Sequence, residues 1–252
     1  MLSKNKIHHL TSLQNKKFRE QFCEFLIEGD KIVKESLVQK NFRLLEILAV
    51  QDWVEQNAIL LSKNKQVEVT IISEKELSRI SSLKSPNQVI ARLAFSEQVF
   101  NYHIASAGLT IYLDGVQDPG NAGTIIRTAE WFGVKQIVFS PDSVDRFNTK
   151  FLQSGMGSIF RITLLHIDYH EFKKLTLDLP WWGASLSGKN IDHYIPNLPG
   201  VLVMGNEGSG IRPEVEKILI EKLKIPKNKD AETESLNVSV ATGILLNKLT
   251  SR

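Results

Sequence analysis

Short apolar stretches alternate with helix-like stretches through the second half of the chain, and this alternation constrains the fold more than any other feature. Strands are predicted at residues 110–114, 136–140, 181–185, 201–204 and 223–225. Helices are predicted from about 119 to 132 and around 149–157, 169–175, 212–220 and 237–249. Strands separated by helices form a parallel sheet with helices on both faces. Ligands bind such sheets at the edge where the strands have their carboxyl ends.

The first part of the chain predicts a smaller α/β unit. Its predicted strands are 25–28, 44–50, 67–72 and 88–95, and its predicted helices are 29–38 and 73–80. The second of these helices opens with Ser73 and Glu76 at the spacing of a capping box. Residues 96–108 show no consistent period. We therefore predict an α/β domain at 1–95, a linker at 96–108 and a second domain at 109–252.

Composition excludes several classes of protein. The 252 residues are 42% hydrophobic, which is enough for a sizeable core, and no stretch approaches the roughly 20 apolar residues of a membrane span. The first residues lack the apolar core of a signal peptide, so a cytoplasmic location is expected. Cys23 is the single cysteine and cannot form an internal disulfide. Because no Cys/His cluster is present, no structural zinc or other metal is expected.

Positive charge near the start of the chain suggests a nucleic-acid partner. The net charge of +3 is too small to prove such a partner. Lys16, Lys17 and Arg19 nevertheless stand in a region with few acidic residues, which predicts an arm that contacts RNA phosphates. A solvated helix face explains the same charges equally well.

Three segments, at 113–127, 203–211 and 234–241, combine small residues with polar side chains at the start of a predicted helix. We call them the first, second and third motif segments. In the first, Asn121 is either a helix N-cap or a substrate contact. Arg127 lies nearly two turns further along and serves either to hold a phosphate or to form a surface ion pair.

The second and third motif segments narrow the chemistry. Gly205, Gly208 and Gly210 free backbone N–H groups and leave Glu207 projecting at the end of a strand. The segment matches neither the Walker loop nor the dinucleotide fingerprint. In the third segment, Ser235 or Asn237 is expected to cap a helix. The apolar stripe of that helix, either core or a subunit interface, consists of Leu236, Val240, Ile244, Leu245 and Leu249.

Taken together and in this order, the motif segments resemble the SpoU (TrmH-like) family of RNA 2′-O-ribose methyltransferases, which belongs to the SPOUT superfamily. The resemblance rests on Asn121, Gly123 and Arg127, on the G-x-E-G-x-G pattern of 205–210, and on Ser-Leu-Asn-Val at 235–238. Residues 25–33 resemble part of the small RNA-binding substrate domain of that family. The resemblance implies an α/β protein whose trefoil-knotted, parallel-sheet methyltransferase domain follows this substrate domain, with roughly 200–252 threaded through a loop.

The resemblance also implies a reaction and a set of site residues. S-adenosylmethionine is expected near Gly205, Ile225 and Leu236, and its methyl group is transferred to a ribose 2′-hydroxyl of RNA, with ribosomal RNA favoured over transfer RNA. The residues implied in catalysis are Arg127, Asn121, Glu207, Ser235 and Asn237. No metal is required. Homodimers are expected, and we predict that Leu245 and Leu249 lie in their interface.

One departure from the family pattern and two alternative functions remain. Residues 227–233 form a longer and more charged stretch than the family has at this place. The family pattern therefore does not predict how this chain lines the adenine side of the cofactor pocket. The stretch is predicted to be an exposed loop. The first alternative is an RNA-binding protein that keeps the fold without catalysis. The second is a generic α/β nucleotide-binding enzyme, which the missing phosphate-loop patterns disfavour.

Overall fold

The apolar runs of the sequence form two separate sheets in the computed structural model, which describes residues 1–194 and 197–250. The chain divides into two units. The first contains Met1–Glu97 and Phe147–Phe160, and the second contains Gln98–Arg146 and the chain from Arg161 onward. Two features were not expected from the sequence. The stretch 96–108 contains a helix, and Phe147–Phe160 groups with the amino-terminal unit although it follows the first strands of the second.

The helices are α1 (Lys4–Ser12), α2 (Lys16–Phe22), α3 (Asp30–Ser36), α4 (Gln51–Gln56), α5 (Ala58–Ser62), α6 (Glu74–Ile80), α7 (Tyr102–Ala107), α8 (Pro119–Trp131), α9 (Thr149–Gly155), α10 (Tyr169–Leu175), α11 (Pro213–Glu216) and α12 (Val238–Thr250). The strands are β1 (Glu24–Glu28), β2 (Arg43–Ala49), β3 (Glu68–Ile71), β4 (Val89–Ala94), β5 (Leu109–Asp114), β6 (Gln136–Phe139), β7 (Thr163–His166), β8 (Trp181–Asn190), β9 (Gly200–Gly205) and β10 (Glu221–Lys224).

The amino-terminal unit is built on a four-stranded sheet in the order β1-β4-β2-β3. Strand β4 runs antiparallel to β1 and β2, whereas β2 and β3 are parallel. All four predicted strands and both predicted helices of this unit are present, and α6 opens with the predicted capping box of Ser73 and Glu76. Helices α1, α2, α4 and α5 were not predicted from the sequence. They are short and bury few side chains, so their apolar periodicity is weak.

Ion pairs connect α1 to the sheet of this unit. The carboxylate of Glu46 is fully buried and meets Arg92 Nε at 2.6 Å and Lys6 Nζ at 2.5 Å. Glu24 meets Arg92 Nη1 and His9 Nε2, both at 2.8 Å. Burial disfavours ionisation of Glu24, but the hydrogen bonds from Arg92 and His9 outweigh it, so the pKa of Glu24 is lowered. Arg92 is therefore the cation that joins both carboxylates.

The second unit contains a six-stranded sheet in the order β10-β8-β9-β5-β6-β7, and every recorded pair is parallel. The predicted parallel sheet is therefore confirmed. Strand β7, which has four residues, was not predicted from the sequence. Helix α11 is shorter than the predicted 212–220, since the chain after Glu216 continues in turns that lead into β10.

Helices lie against the sheet of the second unit, and the aromatic side chains of one face form a core with α10 and α11. The buried members of that core are Tyr112, Val138, Leu165, Tyr169, Phe172, Trp181, Val201, Val203, Ile211 and Val215. Helix α12 packs against α8 and β9, and Leu245 and Leu249 of α12 are 0% and 2% exposed in the single chain. The predicted placement of these two leucines in a subunit interface is wrong, because they belong to the core. No helix in the described ranges is long and apolar enough to cross a membrane.

The ion pairs of the amino-terminal unit predict a stability effect. Arg92→Ala leaves the buried carboxylate of Glu46 undercompensated and should lower the free energy of unfolding by about 3 kcal/mol. The lowered pKa of Glu24 stabilises the folded state above the ordinary glutamate pKa of about 4.3, and this stability is lost as the pH falls further. The substitution should therefore also make the free energy of unfolding depend less on pH in the acid range. Urea titrations at neutral and acid pH measure both effects.

Lys16→Ala is the matched control, because the Lys16–Glu20 pair is exposed and 3.7 Å long. It should change stability by less than about 0.5 kcal/mol. An Arg92→Ala protein as stable as the control would show that the buried pairs contribute nothing.

Candidate active site

The three motif segments meet at one edge of the parallel sheet. Strands β5 and β9 end in the first and second motif segments, and α8 and α12 begin in the first and third. Because β5 and β9 are parallel neighbours, their carboxyl ends lie side by side. The sequence predicts that separate loops build one site at this edge. Hydrogen bonds between the motif segments support this prediction.

The start of α8 places Asn121 differently from the predicted cap. Asp118 is the N-cap, and its Oδ1 accepts a hydrogen bond of 2.8 Å from the backbone N–H of Asn121. Pro119 occupies the first turn, where its missing N–H carries no penalty. The N-cap interpretation of Asn121 is therefore wrong. With the capping done by Asp118, the side chain of Asn121 is available for contacts with other loops.

Hydrogen bonds from Asn121 join all three motif segments. Its Nδ2 donates to Glu207 Oε1 at 2.9 Å, and its Oδ1 accepts from Asn237 Nδ2 at 2.9 Å. Asn237 in turn caps α12, because its Oδ1 accepts from the backbone N–H of Ser239 at 2.9 Å and of Val240 at 3.4 Å. Residues more than 80 positions apart in sequence are thus brought into one hydrogen-bonded chain.

The loop that carries Glu207 is held by its own first residue. Asn206 Nδ2 donates to the carbonyl of Gly115 at 2.8 Å, and Asn206 Oδ1 accepts from the backbone of Gly208 at 2.9 Å. The loop also closes on itself, since the backbones of Asn206 and Gly210 exchange two hydrogen bonds of 3.0 Å. A Cβ atom on Gly205 would lie 2.3 Å from the backbone of Gly210, which requires glycine there. The sequence pattern did not indicate that Asn206 holds this loop.

A buried ion pair holds the other end of the same loop. Asp114, fully buried at the end of β5, accepts from Arg212 N at 2.8 Å and from Arg212 Nε at 2.7 Å. Burial disfavours the guanidinium charge, but the hydrogen bond and attraction of Asp114 outweigh it and raise the pKa of Arg212. Asp142 lies 3.7 Å from Arg212 Nη1, and a hydrogen bond from Ser140, aided by this cation, lowers the pKa of Asp142. The sequence does carry a signal for this ion pair, because Asp114 is a carboxylate at the end of a buried strand.

Two residues of the implied catalytic set lie outside this chain of contacts. Arg127 is exposed on α8, and its side chain makes no hydrogen bond or ion pair with any residue in 1–194 or 197–250. Ser235 is exposed, and within the same ranges only its backbone carbonyl takes part in a hydrogen bond, from Thr233 Oγ1 at 3.2 Å. The structure therefore connects Asn121, Glu207 and Asn237, and leaves Arg127 and Ser235 free for a bound molecule.

The residues implied in cofactor binding lie in the loops after the strands. Gly205 ends β9, and Ile225 follows β10 and is half-buried. Leu236 precedes the capping residue of α12 and is 45% exposed. An exposed leucine and the backbone groups at strand ends are the kinds of contact that an adenosine needs. Within the described residues, no group of three His, Cys, Asp or Glu side chains is arranged to hold a metal ion.

The predicted RNA-facing cations do not all reach the surface. Lys16 and Lys17 are exposed in α2. Arg19 is only 5% exposed, and its Nη1 donates to the carbonyl of Leu13 at 2.8 Å. Arg19 therefore has a structural contact, which corrects its assignment as a phosphate ligand. The helical periodicity of α2 turns it inward while its neighbours face solvent.

The charged stretch 227–233 is an exposed loop, as predicted, with only Ala231 half-buried. Asn228 shapes it: its side chain accepts from the backbone of Asp230 at 2.9 Å, and its carbonyl accepts from the backbone of Ala231. Turns of this kind are formed by hydrogen bonds between neighbouring residues.

Family comparisons agree with this geometry. Residues 108–247 match the SpoU rRNA methylase family, and residues 4–91 match the MRM3-like substrate binding domain. A solved TrmH-family protein from Porphyromonas gingivalis is 34% identical, with a TM-score of 0.86, and the similarity covers 100% of this chain and 99% of that one. An AdoMet-bound rRNA methyltransferase from Sinorhizobium meliloti is 26% identical, with a TM-score of 0.83, over 98% of this chain and 95% of that one.

Similar sequences carry names from the same family. The 23S rRNA (guanosine(2553)-2′-O)-methyltransferase RlmP of Bacillus subtilis is 31% identical, and the match covers 96% of this chain and 94% of that protein. The 23S rRNA (guanosine-2′-O-)-methyltransferase RlmB of Xylella fastidiosa is 29% identical over 90% of this chain and 87% of that protein. With the matched family region covering both the sheet edge and the three motif segments, the chain belongs to the SpoU rRNA methylase family.

Proposed function

We propose that this protein transfers a methyl group from S-adenosylmethionine to a ribose 2′-hydroxyl of ribosomal RNA. The observation that carries the proposal is the hydrogen-bonded chain of Asn237, Asn121 and Glu207, which unites the three family motifs at the ligand-binding edge of the sheet. The similar RlmP and RlmB proteins are named as 23S rRNA methyltransferases, which supports ribosomal over transfer RNA.

The residues of this chain have separate roles in the proposed reaction. When bound, S-adenosylmethionine supplies an activated methyl group, so the protein has chiefly to align the attacking hydroxyl with it. Gly205, Ile225 and Leu236 are proposed to hold the cofactor. A guanidinium stays protonated, so Arg127 is proposed to stabilise negative charge on the reacting oxygen or to grip the adjacent phosphate. The exposed hydroxyl of Ser235 is proposed to position the substrate.

The amino-terminal unit is proposed to bind the RNA. Its match to a substrate binding domain supports this role, and so do the exposed cations Lys16 and Lys17 of α2. Phosphate contacts of this kind fix the position of an RNA without reading its sequence. A cytoplasmic location is part of the same proposal. The trefoil knot of the family, with roughly 200–252 threaded through a loop, is part of the same proposal.

The exposed side of α8 and α12 is proposed to bind a second copy of the chain. Trp131 is 85% exposed and lies on the same side of α8 as Thr124 and Arg127. Helix α12 packs beside α8 and adds Val240, which is also exposed. We call these four residues the α8–α12 face. A solvent-exposed tryptophan beside other apolar surface is typical of an interface.

Arg127 gives a reason why a second copy is the proposed partner. It is a motif residue on the α8–α12 face, and it forms no hydrogen bond or ion pair with Asn121, Glu207 or Asn237 of its own chain. A homodimer through this face would bring Arg127 close to a second chain, whose site it is proposed to complete. This assignment replaces the predicted interface at Leu245 and Leu249.

The reaction is tested with labelled S-adenosylmethionine and ribosomal RNA transcribed without modifications. Label should appear on ribose in the RNA digest. Arg127→Ala should lower kcat/KM by roughly 100-fold, because it removes a charge next to the reacting oxygen. Lys135→Ala, an exposed cation before β6 at the opposite edge of the sheet, should stay within about twofold of wild type. Folded wild-type protein that binds RNA without transferring label would favour the non-catalytic alternative.

The dimer is tested by Trp131→Glu, which places a charge in the centre of the proposed interface. The variant should elute as a monomer in light scattering where wild type is a dimer, because a buried unpaired carboxylate is costly. Leu177→Glu changes another exposed apolar residue, 71% exposed before β8, and should leave the mass unchanged. Equal masses for both variants and wild type would place the interface elsewhere.

A further inference from the structure

Glu207 stands at the end of a hydrogen-bond chain that has one direction. Backbone N–H groups of α12 donate to Asn237 Oδ1, which leaves Asn237 Nδ2 to donate to Asn121 Oδ1. Asn121 must then present Nδ2 to Glu207 Oε1. An amide accepts on one side and donates on the other, so the backbone of α12 sets the orientation of both asparagines. The last member of the chain has to be an acceptor, which suits an ionised carboxylate.

The second oxygen of Glu207 has no partner in the protein. Within residues 1–194 and 197–250, Oε2 accepts no hydrogen bond, and the side chain is exposed. One oxygen is thus held by Asn121, and the other belongs to a solvent-exposed side chain. A carboxylate that is held at one oxygen and free at the other is oriented to accept a proton from a bound molecule.

Other acidic groups of the motif segments are engaged elsewhere or lie outside the chain of amides, as does the exposed Glu234, which makes no hydrogen bond to Asn121 or Asn237. Asp114 is buried and bonded to Arg212 through both oxygens. Asp118 caps α8 through Oδ1, which accepts from the backbone of Asn121. The guanidinium of Arg127 does not lose its proton at working pH. Glu207 is therefore the carboxylate best placed to act as a base.

Resting on the proposed function, we infer that Glu207 Oε2 is the general base that takes the proton of the ribose 2′-hydroxyl. The hydroxyl oxygen forms its bond to the methyl carbon while the carbon–sulfur bond breaks and its electron pair stays on sulfur. The hydroxyl proton passes to Glu207 Oε2 and then to solvent. A hydroxyl oxygen becomes far more acidic as it gains a methyl group, so a positioned carboxylate is a sufficient base.

In this scheme Asn121 and Asn237 are positioning residues. They act through Glu207, because their hydrogen bonds fix which way its carboxylate points. The N-terminus of the 13-residue helix α12, at which the chain of donors begins, also favours negative charge nearby. Loss of either asparagine should slow the reaction without supplying or removing the base itself.

The inference is tested by single-turnover methyl transfer to unmodified 23S ribosomal RNA. Glu207→Gln keeps an acceptor for Asn121 but removes the base, and should lower the rate by roughly 100-fold or more. The dissociation constants of RNA and S-adenosylmethionine, measured by calorimetry, should change by less than about twofold, since no binding contact is lost. Glu207→Asp should keep a larger part of the rate than Glu207→Gln. Glu214→Gln, an exposed carboxylate at the start of α11, is the matched control and should match wild type.

Chemical rescue separates a base from a structural side chain. Added formate should restore part of the rate of Glu207→Ala in proportion to its concentration, whereas chloride should not. Asn121→Ala should be slow and should not respond to formate, because its carboxylate is still present. A Glu207→Gln protein with the wild-type rate, or a Glu207→Ala protein without any response to formate, would overturn this inference alone. A folded wild type that methylates no RNA would overturn the proposed function, and the inference with it.

Discussion

The ion pair between buried Asp114 and Arg212 holds the loop that carries Glu207 at the end of β5. The arrangement of the site depends on this ion pair. A fully buried carboxylate is costly unless it is paired and hydrogen-bonded, so the loop is strongly favoured to remain where Arg212 reaches Asp114. Asn206 ties the other end of the loop to Gly115. Between these two anchors Glu207 has little freedom in its backbone, which allows one hydrogen bond from Asn121 to orient its carboxylate.

The site combines residues that are rigidly placed with residues left open. Asn121, Glu207 and Asn237 are connected to each other before any ligand binds, which lowers the cost of ordering them during the reaction. Arg127 and Ser235 are exposed and have no side-chain partners within the described ranges. Fixed groups suit the alignment of a reacting hydroxyl, and open groups suit contacts with RNA.

Charged residues have different roles in the amino-terminal unit and in the second unit. Arg92 connects the carboxylates of Glu24 and Glu46 on the sheet, and Lys6 and His9 of α1 pair with the same two carboxylates, so these charges serve stability. Lys16 and Lys17 remain on the surface, where we propose that they contact RNA phosphates. Arg19 shows how the two uses are divided, since its guanidinium is turned inward to the carbonyl of Leu13. Positively charged residues thus occur both inside the unit and on its surface. Packing decides which of them are buried and which remain exposed.

Sequence alone determined the parallel sheet, five of its six strands and the edge at which the motif segments meet. These follow from local periodicity and turn chemistry, which are properties of neighbouring residues. Tertiary structure decided which residues act together. Asp118 rather than Asn121 caps α8, Leu245 and Leu249 lie in the core, and Arg212 pairs with Asp114 across nearly 100 positions. Long-range contacts depend on how elements pack, and no pattern of neighbouring residues contains that information.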